Sequence, residues 1–333
     1  MSEIKVSVIV PVYNTEKYLV NCLESLVNQT LQEIQIVIIN DGSTDSSLEI
    51  IKSYSEKYPN KIVYETQENG GQAVARNRAL ELCTGEYIGF LDSDDFVKKE
   101  MYQKMYEKAI AQDADYVACG YTDITYKDEK KIVLHQYVAS KKAVCQKDLF
   151  FGALVSPFIH IYRREIIEKS QVRFPEKVIY EDTAFYLNLI PYIKKIAVIE
   201  EALAYRVRRR NSTMTIVDPY KVGQIFKVMD ESISYYKKYG FWDEYKEELT
   251  YFTAKLLLCS SMKRICKVKN NTDRKKLIQQ TMAYLNEKLP DYKKNKYARK
   301  GMINLYYKSA NKYTLGVYTL AIRIASKFER EYV

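Results

Sequence analysis

The sequence predicts an α/β fold: a mixed, mostly parallel sheet with flanking helices over residues 1–218, followed by a mainly helical region over residues 219–333. Three observations predict it. Short β-branched runs alternate with helical patterns over the first 120 residues, which is the signature of βαβ units. That alternation breaks down beyond Tyr121, and from about Tyr220 the pattern is helical to the end, with Gly240 and Pro290 as punctuation. The charge changes at the same place: residues 1–218 hold 28 Lys/Arg against 31 Asp/Glu, a net −3, whereas residues 219–333 hold 24 against 11, a net +13.

Residues 6–10 read as the first strand, closed by Pro11. Residues 18–29 follow as an amphipathic helix with Tyr18, Leu19, Cys22, Leu23 and Leu26 on one face. The apolar run 34–39 is the second strand, and it stops at Asn40-Asp41-Gly42-Ser43-Thr44-Asp45, a cluster of turn and N-cap residues. Helix 46–58, strand 62–65, the Asn69-Gly70-Gly71 turn, helix 72–82 and strand 87–91 continue the alternation. The last strand runs into Asp92-Ser93-Asp94-Asp95, and a helical pattern resumes from Lys98. Residues 122–150 are polar with few signals, and we expect a mixed segment covering one edge of the sheet.

At 47% apolar and 28% charged residues, a chain of 333 residues buries a full-sized core and need not be disordered. Six scattered cysteines without a C-x-x-C pair, and only two histidines, argue against a disulfide scaffold or a zinc site. The N-terminus has no secretory pattern, and nowhere do about 18 apolar residues run together. The expected compartment is therefore the cytosol.

Three carboxylates within four residues repel one another unless a cation or hydrogen-bond donors neutralise them, so residues 92–95 are candidate ligands for Mg²⁺ or Mn²⁺. The alternative is a solvated helix cap. Asp41 at a strand end fits either an N-capping turn or an acceptor for the amino or imide edge of a base. Gly70-Gly71 lets a ligand approach the backbone, with Arg76 and Arg78 facing phosphate; a plain turn before a solvated helix is the other reading. Glu181-Asp182 reads as a helix N-terminus complementing the dipole or as a general base with a like-charged neighbour.

Val10-Pro11-Val12-Tyr13-Asn14, Asn40 to Asp45, Asn69-Gly70-Gly71 with Ala75-Arg76-Asn77, and Phe90 to Asp95 occur in order on successive strand ends. Together they resemble the inverting GT-A glycosyltransferases of family 2, of the bacterial polysaccharide and teichoic-acid type. The resemblance is close over residues 4–120 and looser to 218, through Tyr180-Glu181-Asp182-Thr183-Ala184-Phe185 and Tyr205-Arg206 to Ser212-Thr213-Met214. It implies a GT-A domain over 1–218, with a donor half (1–120) and an acceptor half (121–218). It further implies that Pro11 and Tyr13 border the base, Asp41 bonds it, and Asn69 and Arg76 complete the nucleoside and diphosphate cradle. Asp92 would lie at the ribose or metal shell, and Asp94, the second carboxylate of the Asp-x-Asp motif, would hold Mn²⁺ or Mg²⁺. Asp95 would face the sugar or acceptor, Asp182 would be the general base with Glu181 beside it, and Arg206, Arg209 and Ser212 would close over the diphosphate.

The implied activity is transfer from a UDP-sugar to a hydroxyl of a glycan or polyprenyl-linked acceptor, by a hexosyl- or N-acetylhexosaminyltransferase. The sequence departs from the family where Trp-x-Lys-Leu-Tyr-Arg-Arg is common and this chain reads Phe158-Ile159-His160-Ile161-Tyr162-Arg163-Arg164. His160 there is either an acceptor contact or a structural core residue. A nucleotidyltransferase also pairs such a sheet with acidic ligands, but the Gly-rich phosphate loop after the first strand is missing. A non-catalytic nucleotide-sugar-binding partner subunit is the other class, opposed by the full set of carboxylates.

Between Lys263 and Lys300 stand 13 Lys/Arg against 3 Asp/Glu. Such a surface attracts anionic lipid or a polyanionic acceptor. Residues 314–332 place Leu315, Tyr318, Ala321, Ile322, Ala325 and Phe328 on one face and Arg323, Lys327 and Arg330 on the other. That pattern suits a helix peripheral on the inner membrane face or one packed in a bundle. No nucleic-acid motif is present, and a homo-oligomer is compatible with the sequence.

Overall fold

The structure is a computed structural model. It describes residues 3–127, 130–139, 145–152, 155–208, 217–298 and 301–329, by backbone alone at 152, 301–304 and 322–329. The chain divides into two compact units, Met1–Arg210 and Asn211–Val333.

The first unit opens with β1 (Val6–Val12), α1 (Glu16–Val27), β2 (Ile34–Asp41), α2 (Ser47–Lys57), β3 (Ile62–Gln67), α3 (Gln72–Leu82) and β4 (Tyr87–Phe90). These four strands are parallel in the order β3-β2-β1-β4. Every residue of β1, β2 and β4 is buried, because helices cover both faces of a parallel sheet and the strands need apolar side chains on each side. Pro11 does not close β1. It pairs with Ile39 beyond the last β1–β4 pair, Ile9 with Phe90, so its missing N–H deprives no β4 partner. Helix α1 starts two residues earlier than its apolar spacing predicts, since Asp45 from the neighbouring loop accepts the Glu16 N–H at 3.0 Å.

Past the acidic strand end the expected helix begins later. Phe96–Val97 forms a short strand, β5, antiparallel to Ala204 and Tyr205 far along the chain, and α4 is Met101–Ala111. Then follow β6 (Tyr116–Lys127), β7 (Lys130–Tyr137), α5 (Leu149–Gly152), β8 (His160–Arg163), α6 (Arg164–Ser170), α7 (Glu181–Leu189) and β9 (Ile196–Val207). Among the described residues nine strands make one sheet, β3-β2-β1-β4-β8-β6-β9-β5, with β7 also on β6. Residues 122–127 and 130–137 are therefore sheet, corrected from the mixed edge segment their polarity predicts. β7 is almost wholly exposed and so lacks the alternation that marks a half-buried strand. At Gly120 a Cβ would stand 2.1 Å from the Tyr137 carbonyl oxygen, so only glycine lets the end of β7 close on β6.

The second unit contains α8 (Pro219–Lys238), α9 (Trp242–Lys255), a π-helical turn (Leu256–Ser261), α10 (Met262–Lys267), α11 (Asn271–Lys288), α12 (Gly301–Ser309) and α13 (Lys312–Glu329). Two starts are set by side-chain caps: Asp218 accepts from Lys221 N–H at 2.9 Å, and Asn270 accepts from Thr272 N–H at 2.8 Å. Val222, Val228, Met229, Leu249, Leu257, Ile265, Leu285 and Leu315 lie in its core.

Candidate active site

The order β3-β2-β1-β4 brings the C-terminal ends of four parallel strands to one edge, where open α/β sheets bind ligands. The loop after β1 and the loop after β2 are stitched together there. Asn14 Oδ1 accepts from Thr44 N–H (2.8 Å), Ser43 Oγ from Asn14 N–H (3.2 Å), Ser47 Oγ from Thr15 N–H (3.0 Å) and Glu16 Oε2 from Ser46 N–H (3.0 Å). Thr15 Oγ1 lies 3.0 Å from Ser93 Oγ, which ties this pair of loops to the acidic end of β4. Tyr13 stands half-exposed at the edge, while Pro11 is buried in β1.

Asp41 is 3% exposed, and its carboxylate holds the turn after β3. Oδ1 accepts from Gln67 Nε2 (2.7 Å) and Gly70 N–H (2.8 Å), and Oδ2 accepts from Gly71 N–H (2.8 Å). Asn69 Nδ2 donates to the Asp41 carbonyl at 3.1 Å. The Asn69-Gly70-Gly71 turn is thus locked to the end of β2 just before α3. Gly42 closes the same corner in the left-handed region, φ +69°, where a Cβ would come 2.9 Å from Asn69 N. Gly42→Ala will cost about 1–3 kcal/mol and loosen this turn. Thermal unfolding checks it; an unchanged Tm would show that the corner relaxes freely.

Arg76 on α3 is the centre of the arrangement. Its guanidinium is 3% exposed and donates from Nη2 to Asp92 Oδ1 and from Nη1 to Glu181 Oε1, both at 2.8 Å, across 16 and 105 residues of sequence. Gln72 Nε2 adds a third bond, to Asp92 Oδ1 at 2.7 Å. Burial works against the charged guanidinium, but the Asp92 and Glu181 charges outweigh it and hold it firmly protonated. Next to it, Asn77 clamps the backbone of Phe174, accepting its N–H and donating to its carbonyl, both at 2.9 Å. Phe174 stacks on Phe185 of α7 at 3.9 Å, and both rings pack edge-on against Phe90 of β4. This packing brings the start of α7 to the β4 end, and Tyr180, at φ +74°, turns the chain into Glu181 and Asp182.

Asp182 is half-buried there, with Oδ1 accepting the Thr183 N–H at 2.7 Å. Burial, then the charge of Glu181, raise its carboxyl to about 7, with Arg76 opposing them. Asp92 and Asp94 are half-exposed, whereas Asp95 is 4% exposed and accepts the Val207 N–H at 2.8 Å. Asp95 therefore secures β9 to the acidic strand end, and its carboxyl is pushed up by burial and by the Asp94 and Asp92 charges.

Arg206 is engaged with side chains of β6 while its charge still reaches Asp95 of the acidic strand end. It forms a two-pronged pair with the buried Asp123 (2.7 and 3.0 Å), lies 4.5 Å over the Tyr121 ring and donates to Tyr121 Oη at 2.9 Å. Arg208 shares the same carboxylate at 3.0 Å. Burial would raise Asp123, but the two arginines outweigh it and lower its pKa. Arg209 and Ser212 lie outside the described residues. His160 is 1% exposed among Tyr116, Tyr162 and Tyr186, and burial alone lowers its pKa to about 3, which fits the core reading of this residue.

Gln67, Gln72, Thr15, Ser93 and Asp123 escape the sequence reading. Each acts through a partner at least 20 residues away, and no local spacing announces such a pair.

The sequence pattern of the family described as glycosyl transferase family 2 matches residues 7–170. The uncharacterized glycosyltransferase EpsJ of Bacillus subtilis is 31% identical over 84% of this chain and 83% of its own length. A poly(ribitol-phosphate) beta-glucosyltransferase of Bacillus spizizenii is 30% identical over 69% of this chain and 36% of its own. Residues 1–349 of S. aureus TarS, crystallised with UDP-GlcNAc, superpose with a TM-score of 0.69 at 20% identity, covering 98% of this chain and 92% of that one. That last likeness is one of fold.

Proposed function

Because the chain belongs to glycosyl transferase family 2, we propose that it moves a hexosyl or N-acetylhexosaminyl group from a UDP-sugar to a hydroxyl of a cell-surface glycan or lipid-linked acceptor, with inversion at the anomeric carbon. The observation that carries this reading is the Arg76 bridge, which fixes the end of β4 and the start of α7 to one buried guanidinium. A donor-side carboxylate and the neighbour of a candidate base are thereby held at one place.

Asp182 is the base in this reading. It accepts the proton of the attacking hydroxyl as oxygen bonds to the anomeric carbon, and the UDP oxygen departs from the opposite face with the bonding electrons. A carboxyl lifted to about 7 is well matched to that proton near neutrality. The glycine turn held by Asp41 brings backbone close to the nucleotide, and Tyr13 lies at the same edge as a platform for the base. Asp41 orders the turn with both oxygens, and with about four acceptor sites on a carboxylate it also accepts from the base in this reading.

The donor set fits Mn²⁺ or Mg²⁺. Both side-chain bonds to Asp92 fall on Oδ1, leaving Oδ2 of a half-exposed carboxylate beside Asp94. Among the described residues no three His, Cys, Asp or Glu side chains form a ready cage, so an ion here would be held by one or two carboxylates and completed by substrate phosphates. Such an ion supplies charge stabilisation to the leaving diphosphate without moving a proton. Asp94→Ala will weaken Mn²⁺-dependent UDP binding by at least about tenfold, measured by calorimetry with and without metal. Equal metal-dependent affinity in variant and wild type would remove Asp94 as a ligand.

A further inference from the structure

The sequence pattern puts one apolar face on the final helix, and the structure shows two. Leu315 and Thr319 are buried and Tyr318 packs against Tyr306 of α12 at 4.9 Å, so the face bearing Leu315 and Tyr318 is spent within the second unit. On the opposite side, Tyr313 (73% exposed), Val317 (70%) and Leu320 (59%) stand clear of it. Their spacing of four and three residues keeps them within about 60° of one another around an α-helix. Leu305 on α12 is 72% exposed as well. Exposed Lys312 stands next to the stripe, its Nζ 5.0 Å over the Tyr313 ring, an aromatic body with a cation at its margin.

We propose that this outer face of α13 docks in the plane of a bilayer surface containing anionic lipid, with Tyr313, Val317 and Leu320 entering the headgroup–acyl boundary. Charge selects this occupant. Residues 219–333 carry a net +13, so a second copy seated on the same face would oppose two strongly cationic units, whereas an anionic bilayer attracts one. A soluble polyanion would satisfy the lysines but leave Val317 and Leu320 in water. Among the described residues no helix is long and apolar enough to cross a membrane, which suits a helix lying on it. The proposal is independent of the donor, acceptor and catalytic base assigned above.

The test is co-sedimentation of the full chain with vesicles of phosphatidylcholine containing roughly 30 mol% phosphatidylglycerol, and with vesicles of phosphatidylcholine alone. Wild type will bind the anionic vesicles, more weakly at high salt, and Val317→Asp with Leu320→Asp will lower the partition coefficient at least about tenfold. A neutral triple variant, Tyr313→Ser, Val317→Ser and Leu320→Ser, will lose binding too, which guards against misfolding of the charged variant; both are checked by Tm. Three results would overturn the proposal: no vesicle binding by wild type, stripe variants that bind as wild type does, or lipid-free sedimentation in which wild type is a dimer and the variants are monomers.

Discussion

Replacing Asp182 with Asn will lower kcat by about 10²- to 10⁴-fold, the usual worth of a positioned general base, with UDP-sugar affinity changed by less than about twofold. The substitution keeps the volume and removes the proton acceptor, so the loss belongs to the chemical step. A pH profile gives the same test by another route. The wild-type carboxyl sits near 7 because burial and then Glu181 disfavour its charge. The base acts deprotonated, so kcat will fall as the pH drops below about 7 and level off above it. The variant's residual rate will lack that acid limb. Turnover equal to wild type would dismiss Asp182 as the base.

Replacing Arg76 with Met will have the larger effect on the fold. Two carboxylates, Asp92 and Glu181, lose their shared cation where it is buried, and the cost is about 3 kcal/mol, read as a lower midpoint in urea. Activity will fall with it, because the start of α7 is no longer tied to the end of β4. Arg76→Lys separates the causes. A single ammonium keeps the charge but cannot reach two carboxylates as a planar fork does, so stability will recover in part while kcat stays low. Since Arg76 opposes the upward shift of Asp182, any residual activity of the Met variant will show its acid limb at higher pH than wild type. Full activity and an unmoved limb would reduce Arg76 to packing.

The strand-end positions were legible because they are local. Tyr13, Asp41, Asn69 and Asp92 lie at or just past the ends of β1, β2, β3 and β4, and a parallel sheet brings those ends to one edge. What the residues do there was less legible. Asp41 lies at the strand end, but three hydrogen-bond donors, one of them 30 residues on, claim its carboxylate. Arg76 bridges carboxylates 16 residues on and 105 residues on, and only the first falls within a local motif. Arg206 belongs to Asp123, a residue on the long strand β6 that polar composition concealed. β5 is two residues long and exists only because β9 pairs with it. In the second unit, amphipathicity found that α13 has an apolar face, but periodicity cannot tell which side a bundle consumes.

The most direct measurement is nucleotide release from a panel of nucleotide sugars with Mn²⁺, without and with glycan and lipid-linked acceptors, for wild type and Asp182→Asn. Acceptor-stimulated release of UDP from at least one UDP-sugar by wild type, lost in the variant and on chelation of the metal, is the predicted result. Pyrophosphate release from a nucleoside triphosphate, or UDP release that Asp182→Asn leaves untouched, would contradict it.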